Sequence, residues 1–251
     1  MDLSRRTRAA VVGVGGRFMI APQMAAAAER LGLRSHVLYI RGRVAPVGEL
    51  TPEAARAVLA IMPAGLVARA FERTSHVSAA DAAKACAEAC ADWGRDHLAP
   101  LPAEDLERLA MLAEKVLDAA ELSALPLAAG WRAVARPSDP PARAALALHV
   151  LREHRGALHL AALRAHGLDV PVAMLASPAG GEKGLRALGW RDADITAVRA
   201  RADAIPDVED RWAAAENLTE SAFGLALGVL DEAEGVDLVR LCDAVVAAVG
   251  G

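Results

Sequence analysis

The chain has 251 residues and a formal net charge of -4; it is 54% hydrophobic by the broad count but only 3% aromatic, with alanine dominant. The length suits one large domain or two small ones, and the slightly acidic balance removes the basic signature that a nucleic-acid binder needs to neutralise phosphates. Alanine loses no side-chain entropy in a helix and β-branched clusters are few, which favours helices over a β-sandwich or barrel. Cys86, Cys90 and Cys242 are too few for a disulfide framework. Cys86 and Cys90 lie four apart in an alanine-rich stretch and read as core thiols; no metal and no cofactor is expected. There is no signal pattern at the N-terminus and no apolar run long enough to cross a bilayer, so a cytoplasmic location without membrane contact is expected.

In chain order, Ala25 to Leu31 is the first clear helical stretch, ending near Gly32, and Leu33 to Ile40 is ambiguous in period. Thr51 with Pro52 marks a helix start, since the missing proline N–H costs nothing in a first turn. Val58, Leu59 and Met62 follow at helical spacing, and the chain restarts at Pro63 with Leu66, Val67 and Phe71. Ser78 and Asp81 resemble a capping box opening a helix through Trp93. Pro102 to Leu122 is the best amphipath: Leu106, Leu109, Ala113, Val116 and Ala120 share a stripe, with Glu107, Arg108, Glu114 and Lys115 outside it. Pro126 begins a short helix carrying Trp131.

Residues 137–141, Pro-Ser-Asp-Pro-Pro, read as a stiff linker between an N-terminal lobe, 1–136, and a C-terminal lobe, 142–251. Beyond it, Arg143 to His154 predicts a helix ending at Gly156, and Leu158 to His166 a second ending at Gly167. A looser Pro171 to Gly181 segment precedes a helix from Asp192 to Ala204. Thr219 is expected to cap a final helix pair interrupted at Gly235, with Leu238, Leu241, Val245 and Val249 on the buried stripe. The order of short helices resembles a winged-helix layout with the wing reduced or absent.

Three segments invite a functional reading. Gly13-Val14-Gly15-Gly16 resembles the start of a dinucleotide fingerprint, but Phe18 occupies the third glycine position and no parallel-sheet pattern follows, so a glycine turn is favoured. Arg41-Gly42-Arg43 places two guanidinium groups in an apolar region; they either hold an anionic ligand or pair within the chain. Leu151 to His159 is the densest polar cluster, read as a helix C-terminus. His149, His154 and His159 recur every five residues, about 140° apart on a helix, and so cannot form a metal triad. Glu153 and His154 are the acid/base candidates, against a plain salt-bridged corner.

The Arg41-to-Gly48 segment, the Pro63-to-Phe71 stretch, Arg152-Glu-His-Arg-Gly156 and His159 to Leu163, with Gly189-Trp190 and Leu218 to Glu220 later, together resemble an actinobacterial family of helix-turn-helix (winged-helix) proteins. Some of its members lie among natural-product biosynthesis genes. The resemblance covers nearly the whole chain and implies two winged-helix-like lobes. Relatives carry a His and aromatic residues before their first Ala-Pro; here the stretch reads Gly15 to Ile20, which implies a different pocket.

The expectation is therefore an all-α protein of two winged-helix-like lobes that binds a small molecule of specialised metabolism, as an enzyme, an enzyme subunit or a binder. Arg41 and Arg43 would hold an anionic group, Trp131 would wall the pocket, and Arg152, Arg155 and His159 would complete it beside Glu153 and His154. The alternatives are a ligand-responsive transcription regulator, disfavoured by the sparse basic residues, and a scaffold that forms a homodimer or docks on a partner protein through the apolar helix from Val236 to Val249.

Overall fold

The computed structural model describes residues 2–250. Its described residues form fourteen α-helices and no strand, so the all-α expectation holds and no wing is present. The chain opens with α1 (Leu3–Arg8), a π-helical turn at Ala9–Val14 and a 3-10 turn at Arg17–Ile20. It continues through α2 (Pro22–Arg30), α3 (Ser35–Val44), α4 (Pro52–Leu59), α5 (Ala64–Arg73), α6 (Ala79–Leu98), α7 (Ala103–Ala119) and α8 (Pro126–Arg132). The second half holds α9 (Pro140–Ala165), α10 (Val170–Ala176), α11 (Gly181–Ala187), α12 (Asp192–Asp203), α13 (Val208–Leu227) and α14 (Glu232–Ala248).

Several starts follow from local chemistry. The Thr51 side chain accepts the Ala54 N–H ahead of Pro52, and Ser78 accepts the Asp81 N–H. The helix that Ser78 opens extends to Leu98, beyond Trp93. The ambiguous stretch after Leu33 settles as the helix α3. On α7 the stripe of Leu106, Leu109, Ala113 and Val116 is buried as the spacing predicts, but Glu114 is buried too. It is tolerated because Arg143 and Arg136 both reach its carboxylate, at 2.6 and 3.3 Å.

The scaffold is organised on α9, which packs against α6, α7, α8 and α13. It is one helix of 26 residues, and the break expected at Gly156 is not there. Pro140 and Pro141 occupy its first turn, where their missing N–H groups are harmless. It ends in a Schellman arrangement: Gly167, at φ 72°, donates to Arg164 and Leu168 donates to Leu163. Residues 144–151 are buried on every side, so this half has no amphipathic signature. Two other expected boundaries also fall inside helices. The Thr219 hydroxyl donates to the Ala215 carbonyl within α13, and Gly235 lies within α14, which starts at an Asp231–Glu234 capping box.

The boundary expected between residues 136 and 142 falls within the largest core. Phe18, Leu106, Leu109, Trp131, Leu148 and Phe223 share that core across it. Gly94 shows how tightly α6 meets the start of α9: a methyl group there would lie 2.5 Å from the Pro141 carbonyl oxygen and 2.7 Å from the Ala145 Cβ. A smaller core around Leu163, Leu185, Ile195 and Val198 joins the end of α9 to α10, α11 and α12, and another gathers α3, α4 and α5 around Ile40 and Val67. Cys86 and Cys90 are free and buried, as expected of core thiols, and Cys242 is free and buried as well. Among the described residues no single helix is long and apolar enough to cross a membrane.

Two glycines test this packing in opposite directions. Gly94→Ala should lose about 1–3 kcal/mol of stability in urea unfolding, since neither α6 nor α9 has space to give. A methyl group on Gly156 would meet no atom within 4 Å, and the residue lies mid-helix, so Gly156→Ala should gain about 0.5–1 kcal/mol; a loss there would mean that the helix breaks at residue 156.

Candidate functional site

The polar residues singled out by the sequence fall into two buried centres on α9 and one separate ion pair, with His154 apart from all three. In the first centre, the Glu153 side chain is 1% exposed. Arg43, on α3, donates to both of its oxygens at 3.1 and 2.9 Å, and Arg152 donates to one at 2.7 Å. Burial alone would raise the Glu153 carboxyl; the charges of Arg43 and Arg152 outweigh it and hold it down at about 2. Gly42 makes the approach of Arg43 possible. A methyl there would meet the Cys86 Cβ at 2.8 Å, so the glycine lets α3 seat closely against α6.

His149, one turn before Glu153, is fully buried. Its Nδ1 lies 3.0 Å from the Gly15 carbonyl oxygen and therefore donates to it. Phe18 and Trp131 meet its ring edge-on at 4.9 and 4.3 Å, and its Nε2 has no partner among the described residues. Burial, with the charges of Arg152 and Arg43, brings its pKa down to about 4, so the ring is neutral at physiological pH. The Gly15-Gly16 turn is needed for this contact. Methyl groups would lie 2.7 Å from the Leu148 carbonyl oxygen and 2.7 Å from the Arg152 Nε respectively. These glycines pack on α9; with a π-helical turn and no strand before them, they form no dinucleotide fingerprint.

Trp131 donates its indole N–H to the Arg43 carbonyl at 2.9 Å. It is fully buried in the core and borders a cavity of about 20 Å³, room for a single water. Arg41 turns away from Arg43, as residues two apart on a helix do. It meets Glu49 at 2.5 Å and lies over the Phe71 ring at 5.0 Å. Glu49 also accepts the Ala79 N–H at the start of α6. The two arginines thus serve different carboxylates and do not converge on a shared anion.

Glu153 and His154 do not form a pair. Successive residues on α9 point about 100° apart, and the His154 ring faces Phe223 with its centroid 5.8 Å away. Burial first, and then the charge of Arg132, lowers its pKa. The second centre lies farther along α9. Arg155 donates to Glu220 at 2.7 Å and Glu216 at 3.0 Å, joined by Arg8 and by the Ser4 hydroxyl on Glu220. His159 Nδ1 lies 3.1 Å from the Thr219 hydroxyl, which accepts because its own proton goes to Ala215. This centre ties the N-terminal helix and α13 to α9.

The open concavity lies elsewhere. A groove of about 370 Å³ runs between the α4–α5 turn and the α11–α12 turn, lined by Arg56, Leu66, Arg69, Trp190, Arg191 and Asp194 among others. The Trp190 indole N–H donates to the Ile61 carbonyl at 2.9 Å and pins the two turns together. Gly189, at φ 88°, brings the turn against Leu66, where a methyl would lie 2.7 Å from a Leu66 methyl carbon. Arg191 is paired with Asp194 at 3.0 Å, whereas Arg56 and Arg69 have no ion pair among the described residues.

Compared with known proteins, residues 4–250 match the sequence profile of a helix-turn-helix family. No curated protein and no solved structure matches the chain.

The buried centre sets a pH dependence. His149 has a folded-state pKa of about 4 against an ordinary 6.5, so its contribution is complete above pH 6.5 and is lost as the pH falls towards 4, by at most about 3 kcal/mol. His154 and His159 are lowered as well and act in the same direction. Glu153, held near 2 against 4.5, adds a further loss below pH 4.5. Urea unfolding of His149→Phe should show a shallower stability slope between pH 6.5 and 4 than the unsubstituted protein; equal slopes would mean that His149 titrates normally.

Proposed function

The chain belongs to the helix-turn-helix family, and from that premise we propose that it is a small-molecule-binding protein, with the ligand seated in the groove between the α4–α5 and α11–α12 turns. The observation that carries this reading is the groove itself: at about 370 Å³ it lies in the size range of small-ligand sites. The residues that the sequence marked for anion binding and acid/base work support a structural role instead, since Arg41, Arg43, Arg155 and Glu153 are already paired within the fold. The Arg41-to-Gly48 and Arg152-to-Gly156 segments resemble a family some of whose members lie among natural-product biosynthesis genes, which supports a ligand from that chemistry.

A DNA-reading regulator is the second reading, favoured by the family's name. Fold alone does not assign that function, and the charge on the helices best placed for it argues against it. Residues 169–203 carry five basic and five acidic side chains. Arg186, Arg191, Arg199 and Arg201 are all engaged by carboxylates of the same unit. Asp192 and Asp194 stand in the first turn of α12, where a recognition helix presents residues to base edges.

Native mass spectrometry of protein purified from its own host, beside a salt titration with duplex DNA from its own promoter, separates the two. A retained small molecule, with no DNA binding even at low salt, is expected. Tight binding to DNA that weakens steeply with salt, with no small molecule retained, would overturn the small-molecule reading.

A further inference from the structure

The groove has a charge arrangement that the protein itself does not neutralise. Arg69 lies one turn into α5, and its guanidinium folds back towards the helix start, 3.3 Å from where a Gly65 methyl would be. That is the unfavourable end for a cation, because the dipole and the free N–H groups there are positive. Pro63 supplies no side-chain cap, and the Ala64 and Gly65 N–H groups have no acceptor among the described residues. Arg56 faces the same space from α4. The only carboxylate lining the groove, that of Asp194, is already taken by Arg191. Arg56 and Arg69 are both exposed, and they differ from the buried Arg41 and Arg155, each of which is paired with a carboxylate.

The remaining surface of the groove is apolar and partly flat, made by Leu66, Pro63 and Trp190. Resting on the small-molecule reading above, we infer that the groove binds an aryl or heteroaryl anion, a phosphate or carboxylate on a flat apolar group, with Arg56 and Arg69 holding the charged end and Leu66 and Trp190 the ring. Guanidinium forks match the two oxygens of either acid, and the free N–H groups of α5 add donors to the same anion. Gly65 leaves that helix start open, where a larger side chain would cover it.

Phenyl phosphate is the probe. Its binding is read from the indole N–H resonance of Trp190, assigned with Trp190→Phe, with inorganic phosphate and phenol titrated separately. Phenyl phosphate should shift that resonance saturably, about tenfold more tightly than inorganic phosphate, with phenol the weakest. Arg56→Gln and Arg69→Gln should each weaken it about tenfold, the effect of losing one charged hydrogen bond, without changing the thermal midpoint, and added salt should weaken it further. Arg164→Gln, which removes an equally unpaired exposed arginine outside the groove, should change nothing. An unmoved Trp190 resonance, or equal effects of all three substitutions, overturns the inference. So does a DNA duplex that shifts Trp190 through Arg56 and Arg69 when phenyl phosphate does not. If the double variant still retains the molecule that co-purifies from the host, the placement is wrong while the binding function stands.

Discussion

A carboxylate buried in the middle of the central helix is the constraint on which the rest of this structure depends. Glu153 cannot remain charged in the core without close cationic partners, because desolvating an unpaired carboxylate costs far more than the margin of stability of a domain. Arg43 and Arg152 meet that need, and meeting it fixes much else. Arg43 must come in on a helix that approaches α6 closely, which calls for Gly42; Arg152 must lie over a backbone without a side chain, which calls for Gly16. The neutral His149 then fits between Phe18, Trp131 and the Gly15 carbonyl, where a charged ring would face two arginines.

This arrangement decides how the polar residues are divided between structure and function. Along α9, Arg152 and Glu153 are bound to Arg43, and Arg155 to Glu216 and Glu220, within the fold. Arg56 and Arg69, left without carboxylates among the described residues, line a groove where two helix turns from opposite halves of the chain meet. The arginines of α11 and α12 are each engaged by a carboxylate, so these two helices present little net charge to a phosphate backbone.

Local chemistry was legible in the sequence wherever a residue acts on its own helix. Thr51 with Pro52 and Ser78 with Asp81 mark true helix starts, and the stripe on α7 is buried as its spacing implies. What was not legible depends on tertiary context. The first half of α9 is buried on all sides, so it shows no stripe, and Gly156 looks like a terminator although the packed segments on both sides keep it helical. Thr219 looks like a cap but satisfies its hydroxyl within its own helix. Glu114 falls off the apolar stripe by type and yet is buried, because its arginines come from beyond residue 135. The Arg41-Gly42-Arg43 spacing signalled either pairing or anion binding, and the choice required knowing where Glu153 and Glu49 lie. The groove had no local signal at all: Arg56, Arg69 and Trp190 come together only through folding.

The measurement closest to the centre of this account is a double-mutant cycle on Arg43 and Glu153, with Arg43→Met, Glu153→Leu and the pair, read by urea unfolding at neutral pH. Arg43→Met leaves Glu153 with Arg152 alone, and Glu153→Leu leaves both arginines without a carboxylate; each should cost about 3–5 kcal/mol, while the double substitution should cost clearly less than their sum, with a coupling of about 2–3 kcal/mol. Losses that simply add, within about 0.5 kcal/mol, would mean that Arg43 and Glu153 do not depend on each other, and Arg43 would again be available to a ligand.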